Sequence, residues 1–297
     1  IEQLYLYGII MKQIYFNQSK PPRFAKVTKA ATFGLTKTFP KLSARLAMKV
    51  FCNPHSRRQY DFRTDIQPIN IKLNTQLGAI NLYYFSQEGN SKTVFLSHGW
   101  ADSTNRFTAL INELVEKGFN VYSIDHIGHG YSHGKVSHLY GYMQGLTAAF
   151  NYFDEQNILI DRVVTHSMGG VALLNLDSSF LKNKKIVMIS APAQIFEAMF
   201  EKVKQVGISE LMLENMLNKV SEQYGINWQH LHPDNSKHKI NEHMLFIHDK
   251  NDSVANFEAI KQLTDNTPAT LIATEKLGHV RILKSQYVYD QITTFMS

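Results

Sequence analysis

The sequence predicts an α/β fold, a parallel sheet covered by helices on both faces, with a helical segment inserted late in the chain. Three observations predict it. From about residue 66 onward, short β-type runs alternate with stretches of helical spacing, the pattern of linked strand–helix units. The 297 residues are 44% apolar, enough for one large domain with an insertion or for two small ones. Cys52 is the single cysteine, so no internal disulfide can support the fold and packing alone must hold it.

The elements read in order as follows. Ile66–Leu73 and Ala79–Phe85 are expected to be antiparallel strands around a turn at residues 74–78. Thr93–Ser97 is a short apolar strand. Thr104–Lys117 carries Phe107, Leu110, Ile111 and Leu114 at helical spacing and stops at Gly118. Asn120–Asp125 is a strand, Tyr140–Gln156 a helix, Arg162–His166 a strand, Met168–Phe180 a helix and Lys185–Ser190 a strand. The alternation then breaks. Ala193 to about Lys239 is helical in character, rich in Met, Glu and Lys, and reads as a cap inserted at about residues 193–240. Met244–His248, Phe257–Thr264, Ala269–Ala273 and Ser285–Phe295 resume the strand–helix order.

Charge divides the chain differently. Residues 1–60 hold eleven Lys or Arg against one acid, Glu2, a net charge of +10; the remainder carries 20 basic against 24 acidic residues, or −4. A basic N-terminal arm over 1–60 therefore precedes a mildly acidic body over 61–297. Two readings of the arm stay open. It docks on the body through Phe24, Phe33, Leu35, Phe39, Leu42, Leu46 and Phe51, or it forms an amphipathic surface in weak contact with anionic lipid. Nucleic acid is not expected, because no recognition motif accompanies the charge. No apolar run approaches the ~20 residues that span a bilayer. Ile1–Met11 is short, is interrupted by Glu2 and lacks a basic leader and a small-residue cleavage site. Met11 is the expected native start, with residues 1–10 upstream of the fold. A reducing, cytoplasmic location is expected, with peripheral membrane contact left open.

The chemistry is carried by four segments. Residues 162–170, R-V-V-T-H-S-M-G-G, run an apolar strand into Ser167 and straight out into a helix of small residues. This is the context of a nucleophile elbow, whose sharp turn lifts the serine hydroxyl above the sheet. Neighbours two positions away must be small. Gly169 satisfies this, and Thr165 is expected to crowd the elbow. Residues 96–101, L-S-H-G-W-A, follow an early strand. There the backbone N–H of Trp100 is the expected partner of the Met168 N–H in holding the oxyanion of an acyl-transfer step. Gly99 allows close approach, and His98 is expected to pack beneath the loop. Residues 245–254, L-F-I-H-D-K-N-D-S-V, end a strand in a turn with two carboxylates. Asp252 is preferred as the acid that orients the base, and Asp249 as the organiser of the turn. Residues 276–283, K-L-G-H-V-R-I-L, place His279 in a loop after the next strand as the base that takes the Ser167 proton.

Together with Asp125–Ser132, D-H-I-G-H-G-Y-S, these motifs over residues 93–283 resemble the α/β-hydrolase superfamily, near its serine esterase and monoacylglycerol-lipase-like branch. The chain order Ser, Asp, His is that of the fold. The resemblance implies a mostly parallel eight-stranded sheet, no cofactor and an acyl-enzyme intermediate, with Ser167, Asp252 and His279 catalytic. Thr165 and the long arm depart from its pattern. The histidines at 126, 129, 133 and 138 match no familiar zinc spacing and lie among loop glycines, so no metal is expected.

The expected reaction is hydrolysis of a small-molecule carboxylic ester with an apolar acyl or alcohol group, selected by the cap. Lysophospholipase, monoacylglycerol lipase, amide or peptide hydrolase and C–C hydrolase remain alternatives, since all share the triad. Dehalogenase and epoxide hydrolase chemistry would need a carboxylate at position 167. The alternative outside enzymology is a ligand-binding protein on the same fold.

Overall fold

A computed structural model describes residues 23–54, 61–62, 64 and 66–297. Residues 1–22, including the expected start at Met11, lie outside the described residues, as do 55–60 of the arm.

The described chain divides into two compact units: residues 54–193 with 233–297 form the body, and residues 23–53 form a second unit with 194–232. The body is an eight-stranded sheet in the order β1-β2-β4-β3-β5-β6-β7-β8. Its strands are β1 Ile69–Thr75, β2 Gly78–Phe85, β3 Lys92–Ser97, β4 Phe119–Asp125, β5 Arg162–His166, β6 Lys185–Ile189, β7 Met244–Asp249 and β8 Thr270–Thr274. Strand β2 is antiparallel to both β1 and β4; β4, β3, β5, β6, β7 and β8 run parallel. The central strands have little choice of environment. Val94, Phe95, Leu96, Val163, Val164, Ile186, Val187 and Ile247 are all fully buried, as strands covered on both faces must be. Each such side chain contributes about 1.5–3 kcal/mol of transfer free energy.

Body helices follow the strands, as the sequence spacing predicts. They are Thr108–Glu116, Leu139–Glu155, Met168–Leu174, Phe257–Thr264, the four-residue Gly278–Arg281 and Gln286–Met296. Two differ from the expected extents for local reasons. The helix expected from Thr104 begins as a 3₁₀ turn, Thr104–Phe107, whose first N–H donates to Asp125 Oδ1 at 2.7 Å. The helix expected to run to Phe180 stops at Leu174, and Asp177 starts a new 3₁₀ turn by accepting from the Ser179 N–H at 2.9 Å.

The second unit contains four α-helices among its described residues: α1 Ala25–Thr38, α2 Pro40–Phe51, α3 Ile195–Gln205 and α4 Glu210–Tyr224. The arm is thus helical where described and packs with the inserted segment. Thr32 Oγ1 accepts from the Ser209 N–H at 2.9 Å, Asn215 Nδ2 donates to the Pro40 carbonyl at 2.8 Å, and the Cys52 thiol meets Met216 Sδ at 3.6 Å. The insertion also ends earlier than its helical composition suggests. Residues 233–239 belong to the body, where Lys239 Nζ donates to the carbonyls of Leu174 and Leu176 at 3.0 and 2.7 Å. Among the described residues no helix is long and apolar enough to cross a membrane.

Candidate active site

The candidate residues all lie just beyond the carboxyl ends of parallel strands, the edge where sheets of this kind place their sites; His279, expected in a loop, sits in the short helix Gly278–Arg281. Ser167 follows β5, Asp252 follows β7, His279 follows β8 and Gly99–Trp100 follow β3. Ser167 is the turn itself. Its φ of 51° and ψ of −122° lie in a region that costs a non-glycine residue about 1–3 kcal/mol, held here by the Ser167 N–H bond to the Ile189 carbonyl at 2.9 Å. The turn demands empty space on its far side. A Cβ on Gly169 would stand 2.7 Å from the Ser97 carbonyl oxygen and 2.8 Å from that of His98.

Thr165, expected to crowd this turn, is fully buried and accommodated. Its Oγ1 donates to the Val187 carbonyl at 3.3 Å. The space for it comes from Gly170, where a Cβ would lie only 3.0 Å from Thr165 Oγ1 and from Ala191 Cβ. The bulk two residues before Ser167 is balanced by the absence of bulk three residues after it.

The structure brings Ser167, His279 and Asp252 together in one hydrogen-bonded line. His279 Nε2 is 3.0 Å from Ser167 Oγ, and His279 Nδ1 is 2.7 Å from Asp252 Oδ2. The carboxylate fixes the tautomer: Nδ1 carries the proton and donates to Asp252, leaving the Nε2 lone pair toward the hydroxyl. Asp252 Oδ1 accepts from the N–H groups of Val254 and Ala255 at 2.8 and 2.9 Å. Burial works to raise the Asp252 carboxyl, but the His279 bond, its charge and these two N–H groups outweigh it and hold the pKa below the usual range. Asp249 is spent elsewhere. Oδ2 accepts from the Thr274 hydroxyl and the Leu277 N–H, and Oδ1 from the Asn251 N–H, so it braces the loop that carries His279.

Two further histidines, which the sequence reading did not single out, support the line. His166 Nε2 donates to the backbone carbonyl of His279 at 2.9 Å, and burial together with the His279 charge pushes its pKa down to about 3. His248 Nε2 donates to the Ala255 carbonyl at 2.9 Å and lies 3.6 Å from Asp252 Oδ2; burial lowers its pKa too. His166 ends β5 immediately before Ser167, and His248 is the last residue but one of β7, immediately before Asp249. That position at the carboxyl edge is the only sequence signal they carry.

The 98–101 loop is anchored from below. A Cβ on Gly99 would lie 2.7 Å from Ser167 Cβ, so the loop lies directly against the serine. His98 Nε2 accepts from the His126 N–H, which leaves its Nδ1–H to donate to the Gly99 carbonyl at 2.7 Å. Tyr142 Oη donates to the same carbonyl at 2.8 Å, and His129 Nε2 accepts from the Ala101 N–H at 3.1 Å. Trp100 follows Gly99 in this loop, its ring edge-on to His129 at 5.3 Å, and Met168 opens the helix after Ser167. Asp125 closes the turn behind them, accepting from the N–H groups of Thr104 and Tyr131 at 2.7 and 3.1 Å. The histidines of this stretch thus have structural work: His98, His126 and His129 hold loops, and His138 caps a helix by accepting from the Gly141 N–H. Among the described residues no three His, Cys, Asp or Glu side chains converge as metal ligands.

A family model described as serine aminopeptidase, S33, matches residues 88–238, half of the chain. The chain belongs to this family of α/β hydrolases. A serine hydrolase-like protein of Dictyostelium discoideum is 31% identical over 109 residues, 36% of this chain and 30% of that protein. A monoacylglycerol lipase of Mycolicibacterium smegmatis is 28% identical over 104 residues, 34% of this chain and 37% of the lipase. The match therefore spans about a third of the length of these curated relatives. Among solved structures, an esterase of Pyrococcus furiosus superposes with a TM-score of 0.61 at 18% identity, covering 81% of this chain and 97% of the esterase. Est1E of Butyrivibrio proteoclasticus, solved with ferulic acid bound, gives 0.59 at 16%, covering 76% and 97%. These two likenesses carry the fold: a mostly parallel eight-stranded sheet flanked by helices.

Proposed function

We propose that this family member hydrolyses carboxylic esters bearing an apolar group, through an acyl-enzyme formed on Ser167. The observation that carries the reading is the line from Asp252 through His279 to Ser167, at 2.7 and 3.0 Å, ending on a serine in a strained turn.

The chemistry follows from those distances. As Ser167 Oγ attacks the ester carbonyl, its proton passes to His279 Nε2, and the imidazolium is stabilised by Asp252. His166 and His248 add no competing positive charge, because burial keeps both neutral. The Met168 and Trp100 N–H groups are assigned to the oxyanion, a contribution of about 10²–10³ in rate per donor in comparable sites. Collapse of the tetrahedral intermediate expels the alcohol, which takes the proton back from His279. Water then repeats the sequence on the acyl-enzyme, giving up its proton to His279, and the acid leaves with Ser167 reprotonated.

The family description raises an aminopeptidase as the second reading. Such an enzyme must also bind a free α-ammonium, which calls for a carboxylate. The carboxylates built into this framework have other engagements: Asp252 with His279, Asp249 with the 274–278 loop, Asp125 with Thr104 and Tyr131, and Asp102 with Arg106 Nε at 2.6 Å. Val254, two residues beyond Asp252, and Val280, next to His279 in the chain, carry exposed apolar side chains. Both features favour a neutral, apolar ester. A matched pair of substrates tests this: a p-nitrophenyl acyl ester and an aminoacyl p-nitroanilide. The proposal expects turnover of the ester, with burst kinetics, and kcat/KM on the anilide lower by at least ~100-fold. Preference for the anilide would replace the esterase reading by the peptidase one.

A further inference from the structure

The basic helical pair α1–α2 has two unlike sides. One is spent inside its own unit: Thr36, Ser43, Ala44, Ala47 and Phe51 are buried, and the Thr36 and Ser43 hydroxyls bond at 2.7 Å. The other side is apolar and exposed. Of the seven apolar residues that would dock the arm on the body, only Phe51 is buried and Leu35 half-buried. Phe24, Phe39 and Leu42 are 70, 62 and 48% exposed, and Phe33 and Leu46 are exposed with them.

Within the described arm the charge has one sign. Residues 23–54 contain seven Lys or Arg and no Asp or Glu. Leu42 and Leu46 stand one turn apart on α2, and the exposed Lys41 and Arg45 form the neighbouring ridge at the same spacing. On α1 the Lys37 ammonium lies 5.8 Å above the Phe33 ring. Lys29, by contrast, is engaged by Glu210 at 3.4 Å.

We infer that this face is a docking surface for an anionic lipid bilayer, with Phe39, Leu42 and Leu46 entering the acyl boundary and Lys37, Lys41 and Arg45 meeting the headgroups. Apolar anchors interleaved with basic side chains are what an interfacial helix requires. A second copy of the chain fits the face poorly, since self-pairing would oppose like charges with no acid on α1 or α2 to relieve them. A nucleic-acid backbone would use the charge but not the exposed leucines and phenylalanines.

The test is vesicle flotation of the full chain, using phosphatidylcholine vesicles with and without phosphatidylglycerol. Two triple variants accompany it: Lys37→Gln/Lys41→Gln/Arg45→Gln and Phe39→Ser/Leu42→Ser/Leu46→Ser. All six positions are exposed, and unchanged melting temperatures confirm that the variants fold. The inference expects binding to the phosphatidylglycerol vesicles that weakens with salt. It expects the charge variant to bind about 100-fold more weakly and the apolar variant roughly 10-fold or more. Equal binding to both vesicles, no binding, or binding indifferent to either variant would overturn it. So would two positive findings made without vesicle binding: a dimer dissolved by the apolar variant, which gives the face to a second copy, or duplex DNA binding that the apolar variant retains.

Discussion

His279 is held at three points, and each holds a different property. Asp252 fixes the tautomer, Ser167 receives the lone pair, and His166 fixes the backbone carbonyl of His279 itself. Replacing Asp252 by Asn keeps the shape but offers an amide that can force the wrong tautomer. We expect kcat to fall by about 10⁴ with little change in KM; steady-state kinetics on an activated ester checks this, and a loss below tenfold would remove Asp252 from the role assigned to it. Ser167, Asp252 and His279 were legible in the sequence because each lies in a short motif and the three occur in a fixed order. His166 was not: its partner is 113 residues away, and nothing local to His166 announces the contact. The same holds for His248, whose value lies in the Ala255 carbonyl it meets only once the turn has closed.

At the scale of elements, the strand–helix alternation was legible almost residue by residue from β3 to the last helix, because period and apolar content are local signals. The elbow shows where local reading stops. Thr165 reads as an obstruction when only its own position is considered, and Gly170 reads as one more small helical residue. In the folded turn they fill one space between them. This coupling is measurable. Gly170→Ala should destabilise the protein by about 1–3 kcal/mol through overpacking against Thr165 and Ala191. In the Thr165→Ala background the same change should cost less, by about 1 kcal/mol, as expected of residues in contact. Denaturant unfolding of the four proteins gives the cycle. Additivity would mean that the two side chains do not share the space.

For the whole molecule, the charge pattern was legible as a basic arm ahead of an acidic body, but the compact units it belongs to were not. Residues 23–53 join 194–232 across about 140 intervening positions, a long-range choice that no local period encodes. Acid sensitivity is also a property of the whole chain. His166 and His138 are pushed down to about 3 and about 4 by burial, and His98, His126 and His248 are lowered in the same direction. In the unfolded chain such groups titrate near 6.5. Between there and their folded pKa values the unfolded state binds protons that the folded state refuses. Their contribution is therefore present above pH ~6.5 and is lost on acidification, for His166 and His138 at about 1.4 kcal/mol per pH unit each. Asp252 and Asp249, both held below the usual carboxylate range, extend the loss in the same direction at lower pH. Against a total stability of about 5–15 kcal/mol this is large. The melting temperature should drop by roughly 10 °C or more between pH ~7.5 and ~5. A flat profile over that interval would mean that these histidines are not held neutral by the fold.

The central claim is that Ser167 is an activated nucleophile. Intact-protein mass spectrometry after treatment with a fluorophosphonate reads it directly, on the native chain and on Ser167→Ala. We expect one phosphonyl adduct per chain on the native protein and none on the variant. A folded native protein that takes up no label, or a Ser167→Ala variant labelled as fully as the native chain, would contradict the claim.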